Sequence, residues 1–297
     1  MSGIDVVRAH LAKVPPASTV AERRAQYDRA ERVFPVPPDI GVKAVAIKPD
    51  GGPEIGAEWL EPPAARPNAA LLYLHGGGYV IGSPRSHRHL AAALAAAAGA
   101  PTLLPDYRLA PEHPFPAAVE DAVAAYRWLL ARGIPAAGIA IAGDSAGGGL
   151  TMATLLALRD RGLPRPAAGV CISPWVDLTC SGASYGGKAA SDPIVTQTGV
   201  AEMARAYVGA GDPRAPLASP LFADLRGLPP LLVHVGSEEV LLDDAVGLAE
   251  RARAAGVTAT LEIWPDMIHV WHWFHPMLDE GRKAVAGIGD FVRKAAG

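Results

Sequence analysis

The sequence predicts an α/β fold in which a mostly parallel sheet carries helices on both faces. Two observations carry that reading. From residue 70 onward, short and largely apolar runs alternate with longer segments of helical period, the pattern of successive βαβ units. Before residue 70, two strand-like stretches flank Asp50-Gly51-Gly52, a turn signal that suits an antiparallel pair.

Residues 1–40 hold one short helix, around Thr19 to Val33, among Pro15, Pro16, Pro35, Pro37 and Pro38, which interrupt regular structure. The antiparallel pair is VKAVAIKP and EIGAEWLEP. The alternation then runs through a strand at Ala70 to Leu74, a helix at His87 to Ala98 and a strand at Thr102 to Leu104. A helix at Ala117 to Ala131, a strand at Gly138 to Ala142 and a helix at Gly147 to Arg161 continue it. Strands at Gly169 to Ile172, Leu231 to Val235 and Thr258 to Ile263 follow, with helices at Leu242 to Ala255 and Asp279 to Ala296. More than fifty residues between Ser173 and Leu231 fall outside the alternation and include a helix at Thr198 to Val208. So long an insertion in a compact chain reads as a lid or binding loop.

At 297 residues the chain fits one catalytic unit with inserted segments. A formal charge of −3 provides no basic surplus for phosphate backbones or anionic lipid, so nucleic acid is not expected as a partner. Cys171 and Cys180 are too few for a disulfide framework and lack zinc-site spacing, which fits a reducing cytoplasm. Asp5, Arg8 and His10 interrupt the first residues, so a secretory signal is not expected. The longest apolar stretch, Leu90 to Ala100, is too short to span a bilayer.

Gly143-Asp144-Ser145-Ala146-Gly147 has the G-x-S-x-G form, between an apolar strand and a periodic helix. A sharp strand-to-helix turn strains the serine backbone, and side chains at the flanking glycines would strike neighbouring main chain. A helix N-terminus also favours developing negative charge. Ser145 is therefore the candidate nucleophile. Gly182-Ala183-Ser184-Tyr185-Gly186 has the same form without strand or helix beside it, and is assigned to a flexible loop.

His75-Gly76-Gly77-Gly78 follows the strand-like LLYL. Consecutive glycines bring N–H groups close to a substrate oxyanion, and no Lys-Ser/Thr follows to make a phosphate loop. The expected donors are Gly76, Gly77 and the N–H of Ala146. In chains with this elbow the order is serine, acid, histidine, which directs the search for a base to His269, His272 and His275. Their three-residue spacing could suggest a metal face, but no companion ligand set accompanies them, so no metal or cofactor is expected. His269 follows soonest after the strand TLEIW. Glu238, Glu239, Asp243 and Asp244 all follow LLVHVG; a loop position favours Glu238 or Glu239, and the residues decide no further.

With HGGGYVIGS at 75–83, DYRLAPEHPFPAAVED at 106–121, GDSAGG at 143–148, SPWVDL at 173–178 and DMIH ending at His269, the chain resembles the bacterial hormone-sensitive-lipase-like carboxylesterases. That resemblance implies the α/β-hydrolase fold, with an eight-stranded, mostly parallel sheet in a single 1–297 domain. A helical cap would be built from about 1–40 and about 178–225. It implies hydrolysis of short to medium acyl esters without metal or cofactor, with a small-molecule ester and a second copy of the chain as partners; the alternatives are an amidase, lactonase or deacetylase on the same residues, or a non-catalytic small-molecule receptor on this fold. Where the family usually reads Asp-Pro-Leu-Arg-Asp-Glu, this chain reads Glu239-Val240-Leu241-Leu242-Asp243-Asp244. The register puts Glu239 at the triad-acid position, with Glu238 and Asp243 as rivals. Asp144 resembles a structural carboxylate of the family.

Overall fold

The computed structural model describes residues 3–50 and 52–297. Eight strands form one sheet in the order β1-β2-β4-β3-β5-β6-β7-β8: β1 (Gly41–Ile47), β2 (Ile55–Glu61), β3 (Ala70–Leu74), β4 (Thr102–Pro105), β5 (Ile139–Asp144), β6 (Ala168–Ile172), β7 (Leu231–Gly236) and β8 (Ala259–Trp264). β2 runs antiparallel to β1 and β4, and every other pairing is parallel. This is the α/β-hydrolase arrangement the sequence implied. Gly51, part of the turn signal in the sequence, lies outside the described residues.

Ten α-helices lie among the described residues: α1 (Gly3–Leu11), α2 (Val20–Asp28), α3 (Ala30–Val33), α4 (Pro84–Ala98), α5 (Ala117–Ala131), α6 (Ala146–Asp160), α7 (Ser184–Gly187), α8 (Gln197–Val208), α9 (Leu242–Ala254) and α10 (Asp279–Ala295). α1 was not expected; nine residues with only Ile4 and Val7 buried give too thin an apolar stripe to read. The helix read across Thr19 to Val33 is two, α2 and α3. Thr19 caps the first through a reciprocal box with Glu22. α4 begins earlier than expected, at Pro84, because Ser83 and Ser86 form a second capping box.

The apolar runs are continuous because both sheet faces are covered. Leu72, Leu74, Ile141 and Val233 face one core with α5, α6 and α9. Leu71, Tyr73, Ala142 and Val170 face the other with α4 and α10. A third cluster joins Ile4, Val7 and Phe34 of the N-terminal segment to Met267, Ile268 and Trp271, so that segment props the stretch around His269.

The alanine content of α4 has a packing consequence. α10 crosses it so closely that a Cβ on Gly289 would lie 2.5 Å from the carbonyl group of Ala97. Gly289→Ala is therefore expected to lower unfolding free energy by about 1–3 kcal/mol in urea titration despite alanine's better helix propensity. An unchanged or raised midpoint would show that the two helices can separate freely.

Candidate active site

Because β5, β6, β7 and β8 are parallel neighbours, the loops leaving their carboxyl ends lie side by side. Those loops carry Ser145, Ser173, Glu239 and His269. Ser145 sits between β5 and α6 at φ 55°, ψ −121°, a backbone region that costs on the order of 1–3 kcal/mol. Its N–H donates to Ile172 O at 2.8 Å and its carbonyl accepts from Trp175 N at 2.9 Å, so the neighbouring loop fixes the elbow. The flanking glycine is a packing requirement: a Cβ on Gly147 would lie 1.9 Å from Leu74 O.

His269 is buried and its Nδ1 is 2.9 Å from Glu239 Oε2. The other oxygen of Glu239 accepts from Gly236 N–H at 2.6 Å and from the Ser173 hydroxyl at 2.7 Å. Ser173 Oγ in turn accepts from Val270 N–H at 3.1 Å, so one hydroxyl ties the carboxylate to the residue after the histidine. With Nδ1 engaged, Nε2 is the nitrogen left to take a proton. Burial works against charge on the His269 ring, but Glu239, Asp192 and Asp144 outweigh it and raise the imidazole above its ordinary value.

The rival acids are held elsewhere. Glu238 lies beside Lys188 and Ser237, Asp243 accepts from Ser184 N–H, and Asp244 accepts from Val176 and Asp177 N–H. Burial pushes Asp244 up to about 7. The three late histidines also diverge: His272 Nε2 lies 3.0 Å from His234 Nδ1, and His275 stacks on His89 at 5.7 Å. Among the described residues no group of three or more His, Cys, Asp or Glu could hold a metal ion.

The glycine loop differs from expectation in one respect. Gly76 N–H donates to Asp144 Oδ1 at 3.1 Å, so it is not free to serve an oxyanion. Asp144 reaches back from the elbow and also accepts from Tyr73 OH at 2.6 Å, with His87 Nε2 at 3.4 Å. Burial alone would raise this carboxyl; His87, Tyr73 and His75 hold it below its ordinary value. The N–H groups of Gly77, Gly78 and Ala146 have no hydrogen-bond acceptor among the described residues, the last because it opens a helix. Met203 of α8 lies over Gly78, where a Cβ would come 2.0 Å from its sulfur.

Several contributors escaped the sequence reading. Ser173 stood inside SPWVDL with no role, and Tyr73 and His87 carried no motif signal. Ser184 was assigned to a flexible loop; instead it is buried in α7, with its hydroxyl donating to Val240 O at 2.7 Å. Cys171 and Cys180 are free thiols, and burial pushes Cys171 up to about 12. Among the described residues no helix is long and apolar enough to cross a membrane.

Comparison with known proteins places this geometry in context. The model of a family with the α/β-hydrolase fold matches residues 71–273. The chain is 53% identical over 278 residues to an acetyl-hydrolase of Streptomyces hygroscopicus, covering 94% of this chain and 91% of that protein. A crystal structure of an esterase from the bacterial hormone-sensitive lipase family superposes with TM-score 0.95 at 51% identity, covering 99% of this chain and 98% of the other. The crystal structure of EstE5 soaked with p-nitrophenyl butyrate superposes with TM-score 0.93 at 47% identity, covering 99% and 98%.

His269 is expected to titrate above the ordinary imidazole value of about 6.5 when followed by its 15N shifts. In Glu239→Gln the burial penalty is left with less opposition, so the midpoint should fall. A midpoint at or below 6.5 in the unaltered chain, or one insensitive to Glu239→Gln, would contradict the pairing.

Proposed function

We infer that this chain, which belongs to the bacterial hormone-sensitive-lipase family of the α/β-hydrolase fold, is a serine esterase that acts through Ser145, His269 and Glu239 on short to medium acyl esters. The observation that carries the reading is the buried 2.9 Å bond between His269 Nδ1 and Glu239 Oε2, on loops beside the strained Ser145 elbow. Nε2 of His269 accepts the Ser145 proton as Oγ attacks the ester carbonyl. The carbonyl π pair moves onto oxygen, where the N–H groups of Gly77, Gly78 and Ala146 stabilise it. The tetrahedral species collapses, the alcohol leaves with the proton from His269, and an acyl-serine remains. Water repeats the sequence and releases the acid. Glu239 fixes the imidazole tautomer and lowers the energy of the imidazolium formed at each proton transfer.

The acyl preference rests on supporting observations of different kinds. Met203 roofs the glycine loop and limits the space above it. The Streptomyces relative is named for acetyl groups, and EstE5 was soaked with a butyrate ester. The first of these names also favours a second reading, removal of acetyl groups from amides on the same serine. A panel of acetyl, butyryl and decanoyl p-nitrophenyl esters beside N-acetylated amines separates the two.

Ser145→Ala is expected to lower p-nitrophenyl butyrate turnover by at least about 10³-fold while the circular dichroism spectrum is kept. Glu239→Gln should lower kcat by about 10²-fold, whereas Asp243→Asn should remain within about fivefold of the unaltered chain. Wild-type turnover in Ser145→Ala would overturn the reaction. Loss confined to Asp243→Asn would move the acid role to Asp243.

A further inference from the structure

The insertion between β6 and β7 grips the loop that carries Glu239. Ser184 Oγ donates to Val240 O at 2.7 Å and accepts from Asp243 N–H at 3.1 Å. Ser191 Oγ donates to Glu238 O at 3.2 Å, and Lys188 Nζ lies 3.5 Å from the Glu238 carboxylate. Asp192 completes the grip. Its Oδ2 accepts from Val240 N–H at 3.0 Å, while Oδ1 accepts from Ile194 and Val195 N–H at 2.9 and 3.0 Å. Arg8 of α1 anchors the same stretch by donating to Ser191 O at 2.9 Å. The backbone on both sides of Glu239 is therefore held by side chains from a segment about fifty residues upstream.

Asp192 is only 5% exposed, so its carboxylate is poorly screened. We propose that Asp192 is a positioning residue for ester hydrolysis: it holds the Glu239 loop in register and adds a second negative charge that favours the His269 imidazolium. The first effect acts through the Val240 N–H, the second through space. Both matter most when His269 has taken the serine proton, so the benefit falls on kcat more than on KM. The charged or titratable groups that act on His269 are Glu239, Asp192 and Asp144, with His272 nearby as a neutral ring whose protonation burial opposes. Removing one of the three carboxylates leaves the imidazolium less favoured, so the free-enzyme base titrates at lower pH.

The inference rests on His269 being the base, and Ser145→Ala serves as its control. The test is kcat, KM and the pH profile of kcat/KM for p-nitrophenyl butyrate in the full chain carrying Asp192→Asn or Asp192→Glu. For Asp192→Asn the expectation is a kcat about tenfold lower, KM within about twofold, and an acid limb displaced by about 0.5–1 pH unit to lower pH. For Asp192→Glu, which keeps the charge but misplaces its acceptors, kcat should fall while the limb stays put. A folded Asp192→Asn with an unmoved limb overturns the proposal. Should that variant not fold, Asp192→Glu decides alone: wild-type kcat, or a limb displaced to lower pH, overturns it. If Ser145→Ala were still active, the hydrolytic reading itself would fail, an outcome separate from either result at Asp192.

Discussion

The buried bond between Glu239 and His269 is the constraint to which the rest of the molecule is fitted. A carboxylate taken fully out of water is destabilised by several kcal/mol unless donors surround it. Here Gly236 N–H, Ser173 and His269 do so together, two of them from strand ends and one from the base loop. The parallel order of β6, β7 and β8 brings these three loops together, and the N-terminal cluster around Val7, Phe34 and Trp271 keeps the stretch around His269 against them. Sheet topology and N-terminal packing thus serve one imidazole orientation.

A second buried carboxylate, Asp144, organises the other half of the site. It follows from the same elbow that presents Ser145, yet its side chain turns back beneath the glycine loop to Tyr73, His87 and Gly76 N–H. Fixing Gly76 in this way orients the two residues that follow, whose N–H groups have no acceptor among the described residues. In the proposed reaction the elbow therefore sets nucleophile and oxyanion donors with adjacent residues, one through its hydroxyl and the other through a hydrogen bond across the sheet.

What the chain disclosed before folding follows from how local each requirement is. The βαβ alternation was legible because strands buried on both faces must be largely apolar, as Ala70–Leu74 is and as Leu231–Gly236 is apart from His234. The elbow was legible because a backbone turn that admits no side chain at Gly147 leaves a local mark. Gly76 was read as an oxyanion donor because its pattern is the same whether its N–H faces a substrate or Asp144, 68 positions away. Ser173 and Asp192 went unread for a similar reason, since their hydrogen bonds to the Glu239 loop span 66 and 48 positions and depend on which loops the sheet makes neighbours. Choosing Glu239 among four carboxylates needed the family register; the geometry then gives a distinct partner to each of the other three.

The most direct measurement of the central claim is covalent labelling with diethyl p-nitrophenyl phosphate, followed by peptide mass spectrometry and by the rate of nitrophenol release. The account predicts one phosphoryl adduct per chain, on Ser145, formed at least about tenfold more slowly when Glu239 is replaced by glutamine. An adduct on Ser184 or another serine, or a labelling rate indifferent to Glu239, would contradict it.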